Sequence, residues 1–173
     1  MVPKKSIWVF LSVFIIAAWL LGSAIGAQAE TMKCRTASVS TKVDTMQVSE
    51  LEGGTLHLGT SEGLAFCENG EIADFKAIFI SDRTAGKGWQ TIGYNYFTFE
   101  DGSKIITKFD QRATADSSGK ISVKSTGKIV KGTGRFEGIK GTESGIGIKV
   151  PDVKGVPPKS ARDRTLTYTL PSK

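Results

Sequence analysis

From residue 43 onward the chain alternates apolar and polar positions with a period of two, interrupted by Gly, Asp and Asn turns. That period is the signature of β-strands with one face toward a core and one toward water. The pattern predicts strands over 43–49, 54–60, 63–68, 72–81, 89–100, 103–115, 119–131, 141–150 and 164–170. The clearest is 119–131, where Ile121, Val123, Ser125, Gly127 and Ile129 share one face and Lys120, Ser122, Lys124, Thr126 and Lys128 the other. Asp101-Gly102 and Asn69-Gly70 are strong hairpin turns, and Ser117-Ser118-Gly119 marks a further reversal. No window carries a helical period. Eight or so antiparallel strands with short connections make an all-β sandwich or closed barrel. The long consecutive strands 89–100, 103–115 and 119–131 favour a meandering, closed eight-stranded barrel, which leaves no edge unpaired.

The first 29 residues follow a different rule. Lys4 and Lys5 precede an apolar run from Ile7 to Leu21, and Ala27-Gln28-Ala29 closes it with small residues. This is the layout of a secretory signal peptide cut before Glu30, with an uncleaved anchor as the rival. Domain organisation is therefore a signal at 1–29 and a single domain at 30–173. No later stretch is long and apolar enough to span a membrane as a helix. The expected location is exported, periplasmic or extracellular.

Export bears on the two cysteines, Cys34 and Cys67. In an oxidising compartment a disulfide is their default state, and their spacing is unlike a redox C-x-x-C. The net charge of +6 falls to +4 when Lys4 and Lys5 are lost with the signal. The remaining cations form a stripe at Lys120, Lys124, Lys128 and Lys131 and a second group at Lys149, Lys154, Lys159, Arg162 and Arg164. These read as solvated surface. Nucleic-acid binding is not expected, since the stripe alternates with Ser and Thr rather than exposed aromatics. The connection 151–163, with three of the five prolines, reads as an exposed excursion or a functional loop.

Catalytic chemistry has few candidates. The single histidine, His57, alternates with Leu56 and Leu58 and points to solvent if those leucines face inward. One His and two paired Cys exclude familiar zinc sites, so no metal and no cofactor are expected. No nucleophile elbow accompanies any serine. In 72–81 the wholly apolar face Ala73, Phe75, Ala77 and Phe79 is the expected interior, which puts Asp74 and Lys76 outside. The aromatic strand 89–100 is more suggestive. Trp89, Asn95, Phe97 and Phe99 share a face there, and Ile105, Thr107 and Phe109 would line the same interior from the next strand. Aromatic walls with one oriented amide suit a small-molecule site. The candidate ligand-binding residues are thus Trp89, Asn95, Phe97, Phe99, Thr107 and Phe109.

The most distinctive stretch is Gly132-Thr133-Gly134-Arg135-Phe136-Glu137-Gly138-Ile139-Lys140-Gly141. It resembles the G-x-G-x-F-x-G-x-x-G signature of the allene oxide cyclase-like barrels, a group that includes dirigent proteins and many secreted bacterial proteins. The resemblance covers the chain from Trp89 onward. It implies an eight-stranded antiparallel barrel with an apolar interior, and enzymes that cyclise lipid-derived epoxides or guide phenol coupling. No catalytic residue of the plant cyclases maps onto this chain. Read from its residues, the motif closes the barrel. Gly132, Gly134, Gly138 and Gly141 permit a tight bend, Phe136 plugs an end, and Arg135 and Glu137 sit at the rim.

Three functions are compatible with these features. The first is a barrel that holds a small lipophilic or aromatic molecule without catalysis. The second is a cyclase or isomerase acting through a shaped apolar cavity. The third is an envelope protein with a filled interior that acts through its surface. A small ligand and a homo-oligomeric partner are the associations the resemblance implies.

Overall fold

The computed structural model describes residues 28–48, 52–83, 88–117, 120–150 and 154–172. The expected signal segment lies outside the described residues up to position 27. Eight antiparallel strands follow one another: β1 (Glu30–Gln47), β2 (Thr55–Cys67), β3 (Ile72–Arg83), β4 (Trp89–Phe99), β5 (Lys104–Ala115), β6 (Ile121–Thr133), β7 (Lys140–Lys149) and β8 (Lys159–Thr169). Each pairs with its sequence neighbour, and β8 pairs with β1 from Glu30↔Tyr168 to Val39↔Lys159, which closes the barrel. All eight strands lie within 30–169, so this stretch completes its own fold.

Most of the alternation pattern holds. The inner face of β3 is Ala73, Phe75, Ala77 and Phe79, and Lys76 is outside, 3.1 Å from Glu62. Val123, Ser125 and Ile129 of β6 are buried, and the lysine stripe is exposed. Three expectations need correction. The spans 54–60 and 63–68 are one strand, β2, because Ser61 and Glu62 stay in the ladder opposite Ala77 and Lys76 of β3. Residues 30–42 are also strand, with Met32, Cys34, Thr36 and Ser38 turned inward. The connection after β7 is shorter than expected, since β8 begins at Lys159.

The barrel has two unlike ends. At one end the chain termini of β1 and β8 meet the β2–β3, β4–β5 and β6–β7 turns. There Phe136, on a short 3₁₀ turn (Gly134–Phe136), is 4% exposed and packs 5.1 Å from the Phe99 ring and 6.3 Å from Tyr168. Gly134 and Gly138 hold positive φ of 62° and 76° on either side of that plug. Gly132 and Gly141 press against the backbones of Phe136 and Tyr168, where a Cβ would collide. Arg135 lies over the Phe99 and Phe136 rings and pairs with Glu71 and Asp101, capping the plug from outside. Met32, Ile105, Ile139 and Leu166 fill the layer beneath.

Cys34 and Cys67, directly opposed on β1 and β2, are joined in a disulfide within this apolar layer. The bond closes a loop with a sequence separation of 33. Replacing both cysteines by alanine is expected to lower the free energy of unfolding by about 3–4 kcal/mol on the chain-entropy account. Urea denaturation of the chain 30–173 measures it, and an unchanged midpoint would contradict the assignment.

Candidate functional site

Halfway along the barrel axis the interior changes from apolar to charged. Glu143 on β7 and Arg164 on β8 are each 3% exposed and form an ion pair. Removing two charges from water is costly unless every remaining donor and acceptor is met. Here most are. Asn95 Nδ2 donates to Glu143 Oε2 at 2.9 Å, Thr107 Oγ1 donates to the same oxygen, and Arg164 Nε donates to Thr36 Oγ1 at 3.1 Å. The Arg164 guanidinium also stacks 4.7 Å above the Phe75 ring. Asn95 Oδ1 is the one atom of the cluster left without a partner.

Above this cluster, toward the β1–β2 and β3–β4 turns, the barrel is open. A cavity of about 330 Å³ occupies that half. Its volume falls at the small end of the roughly 300–1,000 Å³ range of ligand pockets. Two walls face each other across it. Phe75, Ala77 and Phe79 of β3, Trp89 of β4 and Phe109 of β5 make an apolar wall. Ser38 and Ser40 of β1, Lys149 of β7, and Lys159, Ser160, Arg162 and Arg164 of β8 make a polar, cationic one. Space for the arginines comes from glycine on the inner face of β7. A Cβ on Gly147 would stand 2.7 Å from Arg162 Cγ and 2.3 Å from the Ala161 carbonyl oxygen.

The cations of this half are unevenly matched. Arg162 bonds Gln111 through its Nη1, but its Nε is buried without a partner. Burial, and then the neighbouring Arg164, push the Arg162 pKa down to about 9, against the opposing pull of Glu143. Arg83 and Lys149 lean over the Trp89 ring at 5.0 and 5.7 Å. His57 lines the cavity beside them, with Thr45 and Thr55 hydroxyls 3.3 and 3.0 Å from its two nitrogens. Burial, followed by the charges of Arg83 and Lys149, lowers the His57 pKa below its ordinary 6.5. No Asp or Glu side chain is among the described lining residues.

Three residues read as solvent-facing from the sequence are thus interior. Leu56 and Leu58 are the outward residues of β2, at 36% and 52% exposure, so His57 faces in. Arg162 and Arg164 share the inner face of β8 with Leu166 and Tyr168 instead of joining a surface basic group. Lys149 and Lys159 likewise border the cavity. Of the six ligand-binding candidates, Trp89 and Phe109 line it. Asn95 and Thr107, both 0% exposed, belong to the charged floor beneath. Phe97 packs 5.4 Å from Phe75, and Phe99 belongs to the plugged end.

The comparisons concern the fold. The barrel matches the structure of the pterocarpan synthase dirigent protein GePTS1 with a TM-score of 0.50, over 87% of this chain and 95% of that one, at 13% identity. The fold is dirigent-like. A second pterocarpan synthase dirigent protein, PsPTS1, matches at a TM-score of 0.48, with 84% and 97% coverage and 13% identity. No protein-family model matches the sequence, and no curated protein does.

Within this dirigent-like barrel, Glu143, Arg162, Arg164, Thr36 and Gln111 carry the interior polarity, and none was singled out as a site residue from the sequence. One signal was available. Glu143 alternates in phase with Gly141, Gly145 and Gly147, and an acid on a bare glycine face implies long partners crossing from adjacent strands.

Glu143→Gln leaves a buried guanidinium uncompensated, and it is expected to cost about 3–5 kcal/mol of stability. The double replacement Glu143→Leu with Arg164→Met is expected to cost less than Glu143→Gln alone, because no orphan charge remains. Denaturant midpoints of both variants check the order, and the reverse order would refute it.

Proposed function

We propose that the chain is an exported barrel that binds a small aromatic or lipophilic molecule in its open half, without transforming it. The observation that carries this reading is the half-empty interior: an eight-stranded barrel can be filled by its own side chains, yet here a cavity with Phe79, Trp89 and Phe109 on one wall remains. The fold neighbour GePTS1 is named a pterocarpan synthase dirigent protein, a name that agrees with an aromatic guest. A cyclase or isomerase reading is less well supported. Glu143 is the buried carboxylate of the described residues, and its oxygens are taken by Arg164, Asn95 and Thr107 below the cavity rather than presented to it. Export rests on the signal-like 1–29 and agrees with the disulfide.

Filling the cavity tests the reading. Ala77 stands on the inner face of β3 and is 6% exposed. Ala77→Trp is expected to weaken binding of a neutral aromatic probe such as 2-naphthalenemethanol by about tenfold or more, measured by calorimetry. Equal affinity in a variant whose circular dichroism matches the parent would show that the probe does not use this cavity.

The outer face bears on self-association. Leu58, Ile80 and Ile92 are register partners across β2, β3 and β4, with Ile78 and Tyr94 beside them, and all five are exposed. An apolar patch of this kind suits a second copy of the chain. Sedimentation equilibrium is expected to give an oligomer that Ile80→Lys converts to monomer, and a monomeric parent would remove the proposal.

A further inference from the structure

The two cavity walls differ in kind, and the difference selects a class of guest. The aromatic wall on β3, β4 and β5 calls for an apolar body. The facing wall presents Lys149, Lys159, Arg162 and Arg164, with Arg83 and His57 nearer the mouth. Arg164 is matched by Glu143, whereas Arg162 has no carboxylate bonded to it among the described residues. Arg162 is held among them on a partly buried inner-face position, with a neutral amide, Gln111, as its side-chain partner and an unpartnered Nε. A cation drawn into a barrel is ordinarily paired, because the low dielectric makes an unmatched charge costly.

From the opposed walls and the neutral partner of Arg162 we infer that the guest is an amphipathic anion, with its apolar body against Phe79, Trp89 and Phe109 and its anionic group toward Arg162. The inference rests on the binding reading above and adds the charge of the ligand. A carboxylate suits the site because a guanidinium offers planar, charge-assisted donors to it. The depressed Arg162 basicity fits the same picture, since a bound anion favours the charged guanidinium that burial disfavours. The hydroxyls of Ser38 and Ser160, 3.0 Å apart on the same wall, supply neutral donors beside the headgroup.

Three probes with one body separate charge from shape: 2-naphthoate, 2-naphthalenemethanol and 2-naphthylmethylammonium. Each is titrated by calorimetry into the disulfide-bonded chain 30–173. Naphthoate is expected to bind about tenfold or more tighter than the alcohol, and the ammonium weakest. Arg162→Gln is expected to erase most of the roughly tenfold advantage of naphthoate over the alcohol, both measured on the variant. The probe series on the parent protein stands even where that variant does not fold. A second readout uses His57, the single histidine of the chain. Among the described lining residues its imidazole faces Arg83 and Lys149 and no carboxylate, so a bound anion raises its NMR titration midpoint and a bound alcohol leaves it in place. Alcohol and naphthoate binding equally, with His57 unmoved, would overturn the anion inference and leave the binding reading intact. Failure of all three probes to bind would overturn both.

Discussion

The buried pair of Glu143 and Arg164 is the constraint around which the rest of the interior is arranged. A charge pair in a barrel centre is not obtained without cost, and hydrophobic replacements of equal volume often serve stability as well or better. Its presence dictates neighbours: Asn95, Thr107 and Thr36 are turned inward on three further strands to meet the remaining donors and acceptors. It also dictates space. Gly147 on β7 is bare where Arg162 of β8 crosses it, and Gly145 where Ser125 of β6 approaches. The strand that supplies the acid is therefore the strand that supplies the room.

The pair also divides the barrel into two unlike halves. Below it, Phe99, Phe136, Tyr168 and the disulfide make a dry plug of the kind that stabilises a small domain. Above it, apolar packing stops at one wall and hydroxyls and cations occupy the other. Polar groups that need water or a ligand cannot be packed shut as leucines can, so the upper half stays open. The plug and the cavity thereby lie at opposite ends of one sheet, with the Glu143–Arg164 pair as the floor between them.

The fold was legible because its outer rule is simple. Period-two alternation and Gly-containing turns at Asn69-Gly70 and Asp101-Gly102 gave most strands, and the inner faces of β3, β4 and β6 followed directly. The errors fell where the interior is polar or bare. β1 and β2 turn Thr36, Ser38, Gly59 and Ser61 inward, so their inner faces lack the apolar signal that marks a strand. β8 hides Arg162 and Arg164 inside, and in a chain of net positive charge two more arginines look like surface. The candidate site was half legible for the same reason. Aromatic Trp89 and Phe109 announced their wall, whereas the facing wall became visible only when distant strands were brought together in register.

The most direct test is a crystal structure of the disulfide-bonded chain 30–173 grown with 2-naphthoate. The account predicts the naphthalene ring between Phe79, Trp89 and Phe109, the carboxylate toward Arg162, and the Glu143–Arg164 pair undisturbed beneath it. A cavity collapsed onto its own side chains, or a carboxylate that displaces Glu143 from Arg164, would contradict it.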